Sequence, residues 1–171
     1  MDLEPGFFGL SDELFLDKGI LSAHLAAADI FDESDPLWAR FRANFDIVHA
    51  SSFFHLFGLS KQRLAASAIA KLIKPRPGST VLGLQLAAVG EAENVPVVSE
   101  EQPTFCHSLT SMQDLWLLAG REANFDAQGL TWDIQIRDRS VPQAMRIGLL
   151  ANPKLKEITW FANVVSSETT T

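Results

Sequence analysis

The chain has 171 residues, 47% hydrophobic and 20% charged, with 21 acidic against 14 basic side chains and a formal net charge of −7. That length and apolar content predict one domain with a real core and exclude a disordered chain. The charge balance supplies no basic stripe, so no nucleic-acid partner is expected. Residues 1–60 hold ten acids against three bases and carry the whole excess. No apolar run approaches ~18 residues, so no membrane partner is expected. The opening MDLEPGFF lacks the basic flank and apolar stretch of a secretory signal. The single cysteine, Cys106, excludes an internal disulfide and a multi-thiolate zinc site. The absence of tyrosine removes phenolic acid–base chemistry. A cytoplasmic, reducing setting is expected.

Residues 6–18 (GFFGLSDELFLDK) set Phe8, Leu10, Leu14 and Phe15 among acids and predict a short helix with Ser11 as N-cap. Residues 24–31 (HLAAADIF) read as a buried strand, 32–36 (DESDP) as a turn and 37–41 as a short helix. Residues 45–50 (FDIVHA) form a β-rich segment suited to burial on both faces. Ser51, Ser52 and the aromatic stretch 53–57 follow. The clearest helix is 60–74: Leu64, Ala65, Ala68, Ile69 and Leu72 share one face, Ser60 caps it, and Pro75 stops it. Residues 80–86 (TVLGLQL) read as another buried strand. Residues 87–105 hold two prolines and no helical period, the pattern of a lid, a binding loop or a partly mobile segment. A second amphipathic helix is predicted at 110–119, with Ser111 and Asp114 in capping-box spacing and Gly120 as its stop. Residues 131–138 (TWDIQIRD) and 158–165 (ITWFANVV) read as strands, with a weaker strand at 144–149 between them. The alternation predicts an α/β three-layer architecture, a mostly parallel sheet finished by an antiparallel hairpin. It is expected to be one domain over residues 1–165, with a flexible tail at 166–171.

The segment FDIVHASSFFHLF at 45–57, with the helix ending LIKPRPGSTVLG, resembles the middle of class I S-adenosylmethionine-dependent methyltransferases. More narrowly, it is similar to fungal secondary-metabolite methyltransferases, those of meroterpenoid pathways included. DLEPGFF at 2–8 is similar to the segment after that family's second strand, and ADIF at 28–31 to the end of its third. TVLGLQLA is similar to its fifth strand, SLTSMQDLWLLAG to its last long helix, and TWDIQIRD with ITWFANVV to its closing hairpin. The resemblance implies a Rossmann-like sheet, S-adenosyl-L-methionine as cofactor, and methyl transfer to an oxygen of a hydrophobic metabolite, a carboxylate among the options. One departure is large: the family's first strand and acidic glycine-rich loop have no counterpart here. The expectation is an N-terminally truncated chain, weakly active or inactive alone, that self-associates as a homodimer through open sheet edges. The competing reading is a non-catalytic remnant that acts as a pairing module.

The same resemblance places cofactor contacts on Asp2, Asp29, Ile30, Phe31, His49 and Ala50. Asp2 would hold the ribose hydroxyls, since a carboxylate accepts from two at once, or else it is a frayed terminus. Asp29 would accept from the adenine amino group, or else it is a solvated acid before the turn. Ile30 and Phe31 would flank the adenine ring or fill core. His49 and Ala50 end a strand where open α/β folds bind ligands, although a lone histidine is also a common packing residue. Phe53, Phe54 and Phe57 would line a hydrophobic substrate pocket or simply be core. No catalytic residue is assigned beyond His55, which reads as a base, as a carboxylate-orienting donor, or as the polar tip of an aromatic cluster. Cys106 and His107 are adjacent, which is not how a nucleophile meets its base, and read as loop ends. His24, His49, His55 and His107 lack ligand spacing, so no metal is expected.

Overall fold

The computed structural model describes residues 4–15, 20, 22, 24–95, 103–139 and 152–167. They belong to two units, Met1–Arg40 and Phe41–Thr171.

In the first unit, helix α1 (Gly6–Phe15) starts from Glu4 and Pro5, not from Ser11, which lies inside it. The Glu4 carboxylate accepts the Gly6 N–H at 2.9 Å, and the carbonyls of Glu4 and Pro5 accept those of Phe7 and Phe8. The helix leaves Phe7, Leu10, Leu14 and Phe15 exposed. Residues 24–31 do not form the expected strand and reach only one bridge position, at Ala27. Three consecutive alanines have little β-propensity, and no strand among the described residues of this unit offers a ladder. Instead Asp29 turns the chain: its Oδ1 accepts the Phe31 N–H at 2.9 Å. Its carbonyl accepts the indole N–H of buried Trp38 at 3.3 Å. The DESDP turn forms, with Asp32 accepting from the amide and hydroxyl of Ser34, bonds that hold its carboxyl below the usual range. Asp35 then caps α2 (Pro36–Phe41) by accepting the Leu37 N–H at 2.9 Å, with Pro36 in the first turn where its missing N–H costs nothing.

The second unit contains, in chain order, β1 (Ile47–His49), a 3-10 turn (Phe54–Leu56), α3 (Leu59–Leu72), β2 (Thr80–Ala88), β3 (Glu93–Val95), β4 (Thr104–Cys106), α4 (Leu109–Glu122), a second 3-10 turn (Asp126–Gln128), β5 (Leu130–Arg139) and β6 (Leu155–Ser166). Four strands form one sheet in the order β1-β2-β6-β5. Strands β1 and β2 are parallel, while β2–β6 and β5–β6 are antiparallel. The expected closing hairpin is therefore present, but the sheet is mixed instead of mostly parallel. Residues 24–31 add no strand, and β6 inserts between β2 and β5. Strand β1 is an edge with Ile47 exposed, not a strand buried on both faces. Within 87–105 the described residues include strand: β2 runs to Ala88, and β3 pairs with β4. Residues 144–149 and 168–171 lie outside the described ones, and Ser166 closes β6.

Packing explains the small residues on β2. Val81, Gly83, Gln85 and Ala87 face the core, while the larger Leu82, Leu84 and Leu86 are only half-buried. The core face meets the Trp160 indole of β6, and a Cβ on Gly83 would stand 2.6 Å from Trp160 Cζ2. From α4, Trp116 lies with its ring centroid 4.9 Å from that of Trp160 and 5.7 Å from that of Trp132. Phe54 meets Trp116 and Trp160 edge-on. Gly120 does not end α4; the helix continues to Glu122, and a Cβ at Gly120 would meet the Trp132 indole nitrogen at 2.6 Å. Glycine serves close helix–strand contact here. The α4 cap is Ser108, whose hydroxyl accepts the Ser111 N–H at 3.1 Å. In α3, which follows Gly58 as N-cap, Ala65, Ala68, Ile69 and Leu72 are buried as expected, whereas Leu64 is exposed. Gln62 is fully buried and donates to the carbonyls of Phe57 and Phe105, both at 2.7 Å, tying α3 to the 3-10 turn and to β4.

Candidate functional site

Beyond β1 the chain stays against β2 but leaves the regular ladder. The Ala50 N–H donates to the Leu82 carbonyl at 2.8 Å, and the Ser52 N–H to the Leu84 carbonyl at 2.7 Å. Between them the Leu84 N–H meets a side chain, Ser51 Oγ at 3.1 Å. The Ala50 carbonyl lies over Gly83, 2.5 Å from where a Cβ would stand, so a side chain there would displace it. Ser52 follows with φ 51°, a left-handed conformation uncommon outside glycine. This strand end presents exposed His49, whose Nε2 is hydrogen-bonded to Ser51 Oγ at 2.7 Å. The pair lies at the carboxyl end of the parallel β1–β2 pairing, the ligand-binding end of open α/β sheets. Sequence reasoning named His49 and Ala50 and missed Ser51 and Ser52. Two serines directly after a β-rich run were the available signal.

The other candidates are distributed as follows. Asp2 lies outside the described residues. Asp29, Ile30 and Phe31 are half-buried in the first unit, with Asp29 Oδ1 occupied by the Phe31 N–H. Ala50 is buried, and Phe54 is fully buried in the tryptophan cluster, where it offers no surface to a ligand. Phe53 and Phe57 are half-buried and meet edge-to-face with centroids 5.3 Å apart. His55 is half-buried; burial lowers its pKa, and its Nδ1 has no hydrogen-bond partner among the described residues. His24 is exposed. Cys106 closes β4 and is buried. His107 is buried behind it, with Nδ1 2.9 Å from Ser111 Oγ. Burial pushes the His107 pKa down to about 4, with Arg63 acting in the same direction and Ser111 against it. No group of three or more potential metal ligands occurs among the described residues.

A concavity of about 620 Å³ opens at the start of α4. Ser108, Thr110, Ser111 and Asp114 line it from the helix, and Glu91 and Lys156 from the strands and loop opposite. Ser111 connects this surface to His107 behind it. Gly90, Glu91 and Ala92, from the 87–105 segment, also line this cavity. No helix among the described residues is long and apolar enough to cross a membrane.

Comparison with known proteins gives these positions a context. The chain is 33% identical over 138 residues to the O-methyltransferase phiE of a fungal species (strain ATCC 74256), covering 81% of this chain and 44% of that protein. It is 31% identical over 133 residues to the methyltransferase ausD of Penicillium brasilianum, covering 77% and 47%. The chain is a relative of fungal methyltransferases. It spans about half the length of the curated relatives it matches. No family model matches the sequence. Among solved structures, a Burkholderia thailandensis 1,6-didemethyltoxoflavin-N1-methyltransferase with bound S-adenosylhomocysteine is similar at TM-score 0.58 and 12% identity, over 94% of this chain and 57% of that one. The [4+2]-cyclase SpnF is similar at TM-score 0.54 and 11% identity, over 94% and 64%. These likenesses establish an α/β methyltransferase-like fold. The second shows that such a fold does not by itself specify the reaction.

Proposed function

We propose that this chain belongs to an S-adenosylmethionine-dependent O-methyltransferase that acts on a hydrophobic fungal secondary metabolite, such as a meroterpenoid intermediate. The observation that carries this reading is the 33% identity to O-methyltransferase phiE across 81% of the chain. The cofactor, when bound, supplies a methyl group already activated on a sulfonium. What remains for the protein is to position the acceptor oxygen in line and to exclude water.

The residues present fit such ligands, each unit considered by itself. In the first, Asp29 uses Oδ1 for its own turn and keeps Oδ2 for a donor such as the adenine amino group, with half-buried Ile30 and Phe31 beside it in sequence. In the second, His49 and Ser51 offer polar contacts at the strand end, and the Phe53–Phe57 ring pair offers apolar surface for a hydrophobic acceptor. Titration calorimetry with S-adenosylhomocysteine tests the cofactor part. The expected result is one-to-one binding that weakens tenfold or more in Asp29→Ala. Absence of heat with protein that is folded by circular dichroism overturns it and favours the non-catalytic pairing module.

A further inference from the structure

We propose that His49 is a hydrogen-bond donor to the ligand, held in its Nδ1–H form by Ser51, which acts as a positioning residue. That the ligand is a methyl acceptor or its cofactor rests on the function proposed above; the state of the ring does not. Ser51 Oγ lies 2.7 Å from His49 Nε2 and accepts the Leu84 N–H at 3.1 Å. The Leu84 amide occupies one lone pair, the hydroxyl has its own proton to give, and among the described residues Nε2 is the nitrogen within its reach. Donating there makes Nε2 the accepting nitrogen, so the neutral ring carries its proton on Nδ1. His49 is exposed, and its Nδ1 has no protein partner among the described residues. An N–H is therefore offered to solvent at the carboxyl end of the parallel strands.

Two other uses of the pair fit less well. As nucleophile and base, Ser51 and His49 would need a free Oγ, but the Leu84 amide ties this oxygen into the sheet. That same amide is then unavailable to a developing oxyanion, and no third group among the described residues orients the ring. As a base toward a hydroxyl, His49 would need an unprotonated nitrogen facing the ligand, and the outward nitrogen carries the proton. The ligand atom it meets is thus a hydrogen-bond acceptor, a carboxylate or carbonyl oxygen, with an anionic oxygen bound more strongly. The backbone supports one fixed geometry: the Ala50 carbonyl packs over Gly83, and Ser52 takes its left-handed turn directly after Ser51.

The test is nitrogen-15 NMR of the imidazole in the 171-residue chain above pH 7.5, in wild type, Ser51→Ala and Ser51→Thr. The wild type and the threonine variant should show the Nδ1–H form, and the alanine variant a mixture of both forms. A wild-type ring protonated on Nε2, or no change in Ser51→Ala, overturns the proposal. Benzoate serves as the carboxylate probe, with benzyl alcohol as a neutral match. Benzoate should shift the wild-type His49 signals, bind at least fivefold more weakly to Ser51→Ala, and outcompete the alcohol. No benzoate-dependent shift in the wild type overturns the donor role. If Ser51→Ala fails to fold, the wild-type ring form and the benzoate titration decide alone. Failure to bind S-adenosylhomocysteine with the Nδ1–H form intact defeats the methyltransferase reading and leaves this assignment standing.

Discussion

Gly83→Ala puts the sheet packing and the strand-end geometry to one test. The added Cβ would stand 2.5 Å from the Ala50 carbonyl oxygen and 2.6 Å from Trp160 Cζ2, where ordinary contact begins at 3.4 Å. Neither neighbour can yield cheaply: one is backbone, and the other is a fully buried indole pressed on Trp116. Overpacking of this kind costs typically 1–3 kcal/mol, and two rigid neighbours put Gly83→Ala at about 3. Loss of glycine's freedom in the unfolded chain returns roughly 0.7 kcal/mol, leaving a net loss of about 2 kcal/mol. For a chain of this size that is a fall in melting temperature of about 4–8 °C. Urea unfolding followed by tryptophan fluorescence reads it directly, since Trp116, Trp132 and Trp160 share the affected core. Trp160→Phe removes one of the two clashing groups, so its cycle with Gly83→Ala should show a favourable coupling of about 1 kcal/mol. Gly9→Ala, inside α1 with nothing within 4 Å of its Cβ, should instead stabilise its helix by about 1 kcal/mol. A Gly83→Ala variant within 0.5 kcal/mol of wild type, with no coupling to position 160, would refute the reasoning.

Two further outcomes follow from buried and capping groups. His107 is neutral in the fold with a pKa of about 4 against 6.5 when unfolded, so the unfolded chain takes up its proton first as pH falls. Its contribution is complete above pH 6.5 and is lost progressively down to pH 4, about 3 kcal/mol in all; urea midpoints across that range should show the slope, and His107→Asn should flatten it. Ser108→Ala removes the side-chain acceptor of the α4 cap and should cost about 1 kcal/mol, while Ser108→Asp should retain most of the stability; equal losses in both variants would count against the cap.

The elements most legible in the sequence were those whose pattern is local. Strands β5 and β6 alternate along their own length, and α3 carries its stripe and its proline stop within one segment. Residues 24–31 misled because a strand requires a partner as well as a composition, and no periodicity reports the partner. Helix ends slipped for a similar reason: Ser108 and Ser111 both have cap chemistry, and which one caps depends on where the backbone leaves β4. Gly120 looked like a stop signal, yet its small size answers to Trp132, a residue on a different element. At the candidate site His49 and Ala50 were legible as a strand end. Ser51 was not, because its role arises from the Leu84 amide 33 residues away. Phe53, Phe54 and Phe57 could be recognised as a cluster, but their division into one core ring and two half-buried ones depends on the 3-10 turn that orients them.

The placement of β6 between β2 and β5 also bears on the order of events during synthesis. Every residue of β2 from Thr80 to Ala88 finds its antiparallel partner in residues 155–163, and β5 finds its own in the same strand. Until β6 is available, β2 and β5 therefore keep bare hydrogen-bonding edges and have no route to pair with each other in the native arrangement. Pairings this distant in sequence form slowly, and the waiting edges are open to neighbouring nascent chains. Released chains truncated within residues 140–154 should therefore engage chaperones, while chains that include β6 should fold in one cooperative step.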